Sequence, residues 1–186
     1  MVPSIFLSST FSDFINERQI IKGLLPCIDV HVKCAEDSGI YYMQAIAESN
    51  KKTRDEKLRK IIKYWIDQCE MVILLICNRY GTESDSGESW TSEEFNYAIS
   101  ENRIVLPYLR ECDIDHSKFV DIDKNKSDLL KSFITNVENY CPSIPRYKFG
   151  ENARLMTYIV RDVFPRVLEI KTKIQYNNYY DAEAWS

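Results

Sequence analysis

Two neighbouring carboxylates, Glu93 and Glu94, follow a tryptophan, Trp90, near the middle of the chain. A carboxylate beside an aromatic face can stabilise the positive charge that develops on a ribose ring when its glycosidic bond breaks. We assign this role to Glu94, in the first turn of a helix predicted over residues 91–101, with Glu93 as the fallback. One carboxylate suffices where the leaving group departs as a neutral molecule and needs no general acid.

The same segment also fits a purely structural interpretation. Thr91 and Glu94 have the spacing of a capping box, in which the threonine caps the helix and the glutamate reaches back to the backbone N–H of the cap. Such a cap would account for Glu94 without any chemistry. The two interpretations differ in where the carboxylate points, into a ligand cleft or toward the backbone at the start of its helix.

A second group of polar residues follows a short apolar strand predicted over residues 4–8. Hydroxyls and backbone N–H groups at the start of a helix suit a phosphate or a ribose. Ser9, Thr10 and Ser12 could instead only cap the following helix, for which Ser12 is the candidate N-cap. The candidate substrate-binding residues of this group are Ser8, Ser9, Thr10 and Phe11.

A third group, Arg79, Tyr80 and Gly81, follows the continuously apolar residues 71–77. The guanidinium of Arg79 could bind a phosphate, or it could brace the turn-rich loop of residues 78–89. The aromatic ring of Trp90 is the last candidate substrate-binding group. Other charged residues that follow predicted strands are Glu36, Asp37, Arg110 and Glu111.

Several common kinds of site are not indicated. The chain contains no Gly-x-Gly-x-x-Gly, no P-loop and no Gly-x-Ser-x-Gly motif. Its six cysteines form no Cys-x-x-Cys pair, and it has only two histidines. We therefore expect no metal site and no bound cofactor, and we interpret the cysteines as mostly buried, reduced thiols.

The elements that must position these groups alternate between strand and helix. Strands are predicted over residues 4–8, 28–34, 71–77 and 104–109, with helices between them. This order predicts an α/β fold with an open parallel sheet and helices on both faces. Ligands bind beyond the carboxyl ends of the strands in such sheets, where the candidate residues would meet. Pro107 inside the last strand indicates an edge position or an early exit from the ladder.

Two helices, over about residues 127–140 and 152–170, are predicted to complete a single domain of residues 1–170. Pro165 should kink the second helix. Residues 171–186 are predicted to form a flexible tail or a linker. The net charge of −4 does not favour direct nucleic-acid binding. The longest apolar run is too short to span a membrane, and no signal peptide is evident, so we expect a cytoplasmic protein.

Three stretches of the chain together resemble a known family. It is the TIR-like domain of unknown function that opens many proteins carrying NACHT-type ATPases or repeats. The stretches are residues 5–14 with Glu17 and Arg18, residues 72–81 with the Arg-Tyr-Gly turn, and residues 89–98 with Trp90 and Glu94. The resemblance covers residues 4–112 in order. It departs from the family pattern between residues 26 and 50, and Ser92 stands where the family often has an acid.

The resemblance implies a flavodoxin-like fold related to TIR domains, many of which cleave NAD and release nicotinamide. The catalytic glutamate of those enzymes corresponds to Glu94, and NAD would be a substrate rather than a cofactor. It further implies activation by homo-oligomer assembly, a role in immune or antiphage defence, and a sensor or ATPase protein or domain as partner. Two alternatives stay open: a non-catalytic signalling or oligomerisation module, and an N-glycosidase for another nucleotide or nucleoside.

Overall fold

A parallel sheet forms the centre of the molecule in the computed structural model, which describes residues 2–111 and 124–183. Five strands are found in this part of the chain, in the order β2-β1-β3-β4-β5, and all neighbours are parallel. They are β1 (Ser4–Ser9), β2 (His31–Lys33), β3 (Met71–Ile76), β4 (Ile104–Glu111) and β5 (Arg146–Lys148). The predicted open parallel sheet is confirmed.

Helices cover both faces of this sheet. They are α1 (Ile15–Leu24), α2 (Ile40–Ile46), α3 (Lys51–Asp67), α4 (Trp90–Ser100), α5 (Lys124–Tyr140) and α6 (Asn152–Glu183). Helices α1 and α6 pack on one face, and α3, α4 and α5 pack on the other. All six residues of β3 are buried because alternate side chains enter the two cores, which explains its uninterrupted apolar sequence.

The edge position predicted for β4 from Pro107 is wrong, because β4 lies between β3 and β5. The strand β5 begins to pair only at Leu109, whose N–H donates to the carbonyl of Pro145 at 3.0 Å. Residues two apart in a strand direct their N–H groups to the same side. The nitrogen of Pro107 therefore points to the same side as the N–H of Leu109, toward β5, but at a position before β5 begins. Its missing N–H costs the sheet no hydrogen bond there.

Two further local predictions need correction. The second strand is shorter than residues 28–34, because Leu25–Ile28 form a 3₁₀ turn that ends at Asp29 with a φ of 57°. Ser12 does not cap a helix. It lies within a second 3₁₀ turn, Phe11–Asp13, and α1 begins only at Ile15. The side chain of Asp13 is buried and paired with Arg79.

The two predicted C-terminal helices are present, but α6 continues beyond the expected end at residue 170. It passes through Pro165 and runs to Glu183. The assignment of residues 171–186 to a tail or linker stays a prediction. Cys112 and His116 lie outside the described residues. Within those residues, no helix combines the length and the apolar character that crossing a membrane requires.

Candidate active site

A cavity of about 410 Å³ opens beyond the carboxyl end of β1, bordered by α3, α4 and the segment that follows β2. Its walls include six of the nine residues predicted as site residues: Ser9, Thr10, Phe11, Gly81, Trp90 and Glu94. The volume is in the range of small-molecule binding sites. Three separate parts of the sequence therefore meet at the edge of the sheet where parallel folds bind ligands.

Glu94 lies in the wall of this cavity and is only 8% exposed. Its Oε2 accepts a short hydrogen bond from the hydroxyl of Ser8 on β1. The predicted capping box is wrong, because α4 begins at Trp90 and its N-cap is Ser89, whose hydroxyl accepts from the N–H of Ser92 at 3.2 Å. Glu94 is thus too far along the helix to reach back to the cap, and its carboxylate is available to the cavity.

Burial is the dominant influence on the charge of this carboxyl. It raises the pKa of Glu94 to about 7, against the opposing effects of the Ser8 hydrogen bond and the nearby positive charge of Arg18. Near neutral pH, the group is therefore divided between its charged and uncharged forms. A carboxyl with a strongly raised pKa in a cavity is typical of a functional site.

Glu93, the fallback carboxylate, points away from the cavity. Arg59 donates to both of its oxygens, with Nε to Oε2 at 2.8 Å and Nη2 to Oε1 at 3.1 Å. The hydroxyls of Ser84 and Ser86 also donate to Oε1. Glu93 thus holds the loop before α4 in place. Although it is adjacent to Glu94 in sequence, its carboxylate lies outside the cavity.

The hydroxyls of Ser8 and Ser9 have separate tasks, and neither caps a helix. Ser8 is 1% exposed and lies behind Glu94, so it does not line the cavity. The hydroxyl of Ser9 accepts from Nη1 of Arg18 at 2.9 Å. Arg18 also pairs with Glu36, and its guanidinium lies 5.3 Å from the ring centroid of Phe11. This cluster fixes the cavity wall after β1.

Thr10 and Gly81 approach each other closely at the cavity. Gly81 has a φ of +85°, and a Cβ there would lie 3.2 Å from Oγ1 of Thr10. Both features favour glycine at this position. The Arg-Tyr-Gly turn therefore contributes through its backbone, which can pass beside Thr10 only without a side chain.

Arg79 and Tyr80, the other two residues of this turn, do not line the cavity. Nη1 of Arg79 lies 2.8 Å from Oδ1 of the buried Asp13. Tyr80 is buried in the core between the sheet and helices α3 to α5. The structure favours the bracing role for Arg79 over phosphate binding, because its cation ties the loop after β3 to the 3₁₀ turn after β1.

Replacing Arg79 by alanine is expected to lower the free energy of unfolding by about 1–3 kcal/mol, because Asp13 would keep a buried carboxylate without its cation. The partial exposure of Arg79 keeps this cost below that of a fully buried pair. Urea unfolding measures the loss. If the variant unfolds at the same urea concentration but binds nucleotide more weakly, Arg79 contributes to nucleotide binding instead.

Among the cavity residues that were not predicted as site residues, four carry a charged or phenolic side chain: Arg18, Glu36, Tyr42 and Arg54. The sequence marks Glu36 only as an acidic residue after β2, at the sheet edge. All three of Arg18, Tyr42 and Arg54 belong to helices. Arg18 lies in the first stretch that resembles the family, where no role was assigned to it, and Tyr42 and Arg54 carry no local motif. Two other charged residues at this edge lie elsewhere, with Arg110 buried against Glu17 and Glu111 paired with Arg146. In the described part of the chain, no three His, Cys, Asp or Glu residues are grouped as a metal site requires.

Comparison with known proteins supports the fold. A family model described as a domain of unknown function (DUF4062) matches residues 4–163. The TIR domains of the activated Roq1 resistosome, described as directly recognising the pathogen effector XopQ, are 16% identical with a TM-score of 0.51. That alignment covers 87% of this chain and 99% of the other. The architecture is therefore that of a TIR-like α/β domain.

A second solved structure is a 2-desoxiribosyltransferase from Leishmania mexicana, which is 19% identical with a TM-score of 0.34. The alignment covers 57% of this chain and 64% of the transferase, so it spans less than two thirds of that protein. No curated protein matches the chain.

Proposed function

Since the chain belongs to the DUF4062 family of domains of unknown function, we propose its activity from the site itself: cleavage of the N-glycosidic bond of NAD, with release of nicotinamide. The observation that carries this proposal is the position of Glu94. Its carboxylate is buried in the cavity wall, bonded to Ser8, and has no capping role that would explain it. The resemblance of residues 89–98 to the acidic helix of NAD-cleaving TIR domains adds support.

In the proposed reaction, the bond between ribose C1′ and the pyridinium nitrogen breaks, and its electron pair neutralises the departing nicotinamide. The negative charge of Glu94 stabilises the ribosyl cation in the transition state, in a site of low solvent access where such charges act strongly. Water then adds to C1′ and loses a proton, which gives ADP-ribose. Ser8 holds the carboxylate in place, and Trp90 offers an aromatic face to the planar nicotinamide ring.

The rate should depend on pH through Glu94, because only its charged form stabilises a cation. Burial raises the pKa of Glu94 to about 7. We expect kcat/KM to rise about tenfold per pH unit below this value and to level off above it, since kcat/KM reports the groups of the free enzyme. Initial rates of nicotinamide release across the pH range measure this profile. A profile that is flat between pH 5 and 9 would show that Glu94 does not act as a carboxylate.

The experiment that tests the proposal is incubation of the concentrated protein with NAD, followed by chromatographic measurement of nicotinamide and ADP-ribose. Parallel incubations with nicotinamide riboside and with adenosine test the alternative of a glycosidase for a different substrate. Equal amounts of nicotinamide and ADP-ribose are expected from NAD. Cleavage of adenosine but not of NAD would show that the substrate is a nucleoside, and the proposed role of Glu94 would stay the same.

A second candidate function is a non-catalytic signalling or oligomerisation module, and one feature favours it. Helix α2 at the cavity rim exposes four large apolar side chains, Ile40, Tyr41, Met43 and Ile46. Exposed apolar groups together at one place favour contact with another protein. This feature also supports assembly into a homo-oligomer as the step that activates the enzyme, so assembly alone does not separate the two functions.

The wider role that we propose is that of a cytoplasmic effector in immune or antiphage defence, coupled to a sensor or ATPase protein or domain. This part rests on the family resemblance of the sequence. Glu94→Gln separates the two candidate functions, because it should stop cleavage and leave assembly unchanged. Sedimentation of the variant beside the unaltered protein measures the second effect.

A further inference from the structure

A dinucleotide such as NAD carries two negative charges on its diphosphate, and a site that encloses it needs a cation for them. Two side chains in the cavity wall are positively charged, Arg18 and Arg54. Arg79, the phosphate-binding candidate from the sequence, is committed to Asp13 outside this wall. The cation for a phosphate in the cavity would therefore be one of these two arginines.

Arg18 is already occupied. Its side chain is only 7% exposed, Nη1 donates to Ser9 and Nη2 donates to the carboxylate of Glu36. Glu36 therefore neutralises this cation inside the site. A phosphate that approached Arg18 would meet the carboxylate of Glu36 at the same place, which is unfavourable.

Arg54 is held at one end and open at the other. It lies on α3 in line with Leu58 and Ile62, which are four and eight residues further along and also line the cavity. Its Nε donates to Oδ1 of Asp55 at 3.0 Å, and its side chain is 33% exposed. Across residues 2–111 and 124–174, no other hydrogen bond from this guanidinium is found.

Asp55 explains how the guanidinium keeps its place. Its side chain is 1% exposed, and a buried carboxylate holds a neighbouring cation strongly because it is costly to leave unpaired. The bond uses only Nε, so both Nη groups stay free to donate. A planar guanidinium with a pair of N–H groups on its open edge matches the oxygen atoms of a phosphate.

We propose that Arg54 is the phosphate-binding residue of this cavity, and that the site takes a phosphate-bearing nucleotide rather than a nucleoside. This inference rests on the proposed function for the identity of the nucleotide, because that function places a diphosphate ester in the cavity. Arg54 on α3 thus takes the phosphate-binding role for which Arg79, in the loop after β3, was a candidate from the sequence.

The test measures the dissociation constants of ADP-ribose and of nicotinamide riboside by calorimetry, without any need for turnover. The variants are Arg54→Gln, Arg54→Lys and Lys57→Gln. Lys57 is the matched control, because it lies one turn away on α3, pairs with Glu48 at the surface and does not line the cavity. Thermal melting of each variant verifies that it is folded.

Arg54→Gln is expected to weaken ADP-ribose binding at least about tenfold, because a charge-assisted bidentate contact is lost. Arg54→Lys should recover part of this loss, and Lys57→Gln should stay within about twofold. The affinity for nicotinamide riboside, which has no phosphate, should not change in any variant. In turnover, Arg54→Gln should raise KM and change kcat little.

The proposal is overturned if a folded Arg54→Gln variant binds ADP-ribose as the unaltered protein does, or if it loses affinity for both ligands equally. Absence of ADP-ribose binding to the unaltered protein would overturn it as well. Its failure differs from that of the proposed function. If ADP-ribose binding depends on Arg54 but no nicotinamide is released, only the proposed activity is contradicted. If nicotinamide release depends on Glu94 but not on Arg54, only the role of Arg54 is contradicted.

Discussion

Replacing Glu94 by glutamine is expected to lower kcat/KM for NAD cleavage by about 10³-fold, the order of effect seen when one charge-stabilising group is removed from an active site. The amide has nearly the same size and can still accept the hydrogen bond from Ser8. It carries no negative charge in any pH range, so it cannot stabilise the ribosyl cation. Nicotinamide release at pH 8, where the carboxyl would be charged, measures the loss.

The control for this variant is Glu93→Gln. The two glutamates are adjacent on α4, and the chemical change is identical, but Glu93 is bound by Arg59, Ser84 and Ser86 outside the cavity. We expect turnover of Glu93→Gln to stay within about threefold of the unaltered protein, because only contacts remote from the reacting atoms change. Equal losses in both variants would point to a general effect on α4 rather than to catalysis.

The stability of Glu94→Gln should separate a catalytic from a structural role. Burial raises the pKa of Glu94 from 4.5 to about 7, so the folded protein binds this proton more tightly than the unfolded chain. The resulting stability is fully present below pH 4.5 and is lost as the pH rises through 7. At pH 8 the glutamine variant should therefore unfold at the same urea concentration as the unaltered protein, or at a higher one. A much earlier transition would mean that the carboxylate holds the fold together.

Replacing Arg110 by methionine is expected to lower the free energy of unfolding by about 3–5 kcal/mol, the cost of leaving a buried charge without its partner. Arg110 is fully buried, and its Nη1 donates at 2.7 Å both to Oε1 of Glu17 and to the carbonyl oxygen of Asp13. Its guanidinium also lies 4.3 Å from the ring centroid of Phe14. The residue thereby joins the end of β4 to α1 and to the 3₁₀ turn beside the cavity.

Two further variants give this prediction its controls. Arg146→Met removes an exposed arginine that pairs with Glu138 and Glu111, and it should cost less than about 1 kcal/mol because such surface pairs contribute little. Glu17→Gln added to Arg110→Met should recover part of the loss, because it removes the unpaired charge. Urea unfolding of all the variants measures both effects. A cost for Arg110→Met as small as that for Arg146→Met would contradict the structural role of the buried pair.

Four of the five strands described could be predicted, because their information is local, whereas the three-residue β5 was not predicted. The uninterrupted apolar residues of β3 require burial on both faces, and the alternation of strand and helix requires parallel pairing. Residues that follow the strands must then meet at one edge, so the sequence alone predicts that Ser9 and Gly81 lie near one another. It leaves open whether Glu94 points into the same cleft. The helical pattern of α3 likewise follows directly from its spacing of apolar residues.

The capping error shows where local reasoning ends. Ser89 and Thr91 are both good N-cap residues, and choosing Thr91 moves the helix start by two positions and gives Glu94 a backbone partner. The choice is made by the loop before α4, where the N–H of Trp90 donates to the carbonyl of Thr82 at 3.2 Å. That contact depends on the path of the whole loop, which no short motif encodes.

The charged partners of the site could not be predicted for a similar reason. Arg110 and Glu17 are 93 positions apart, and Arg79 and Asp13 are 66 apart. These distances in sequence carry no periodic signal, and an arginine at a strand end suits a phosphate or an internal carboxylate equally well. The structure resolves the choice for Arg79 and Arg110, because each is paired with a buried carboxylate outside the cavity. Arg54 also has a carboxylate partner outside the cavity, Asp55, but it lines the cavity and bonds Asp55 through Nε only.

The most direct test of the central claim is nicotinamide release from NAD, measured side by side for the unaltered protein, Glu93→Gln and Glu94→Gln. Protein concentration is raised until sedimentation shows assembly, because the active form is proposed to be a homo-oligomer. Release by the first two proteins, and about 10³-fold less by Glu94→Gln, is the predicted result. Undiminished release by Glu94→Gln, or no release by the assembled unaltered protein, would contradict the account.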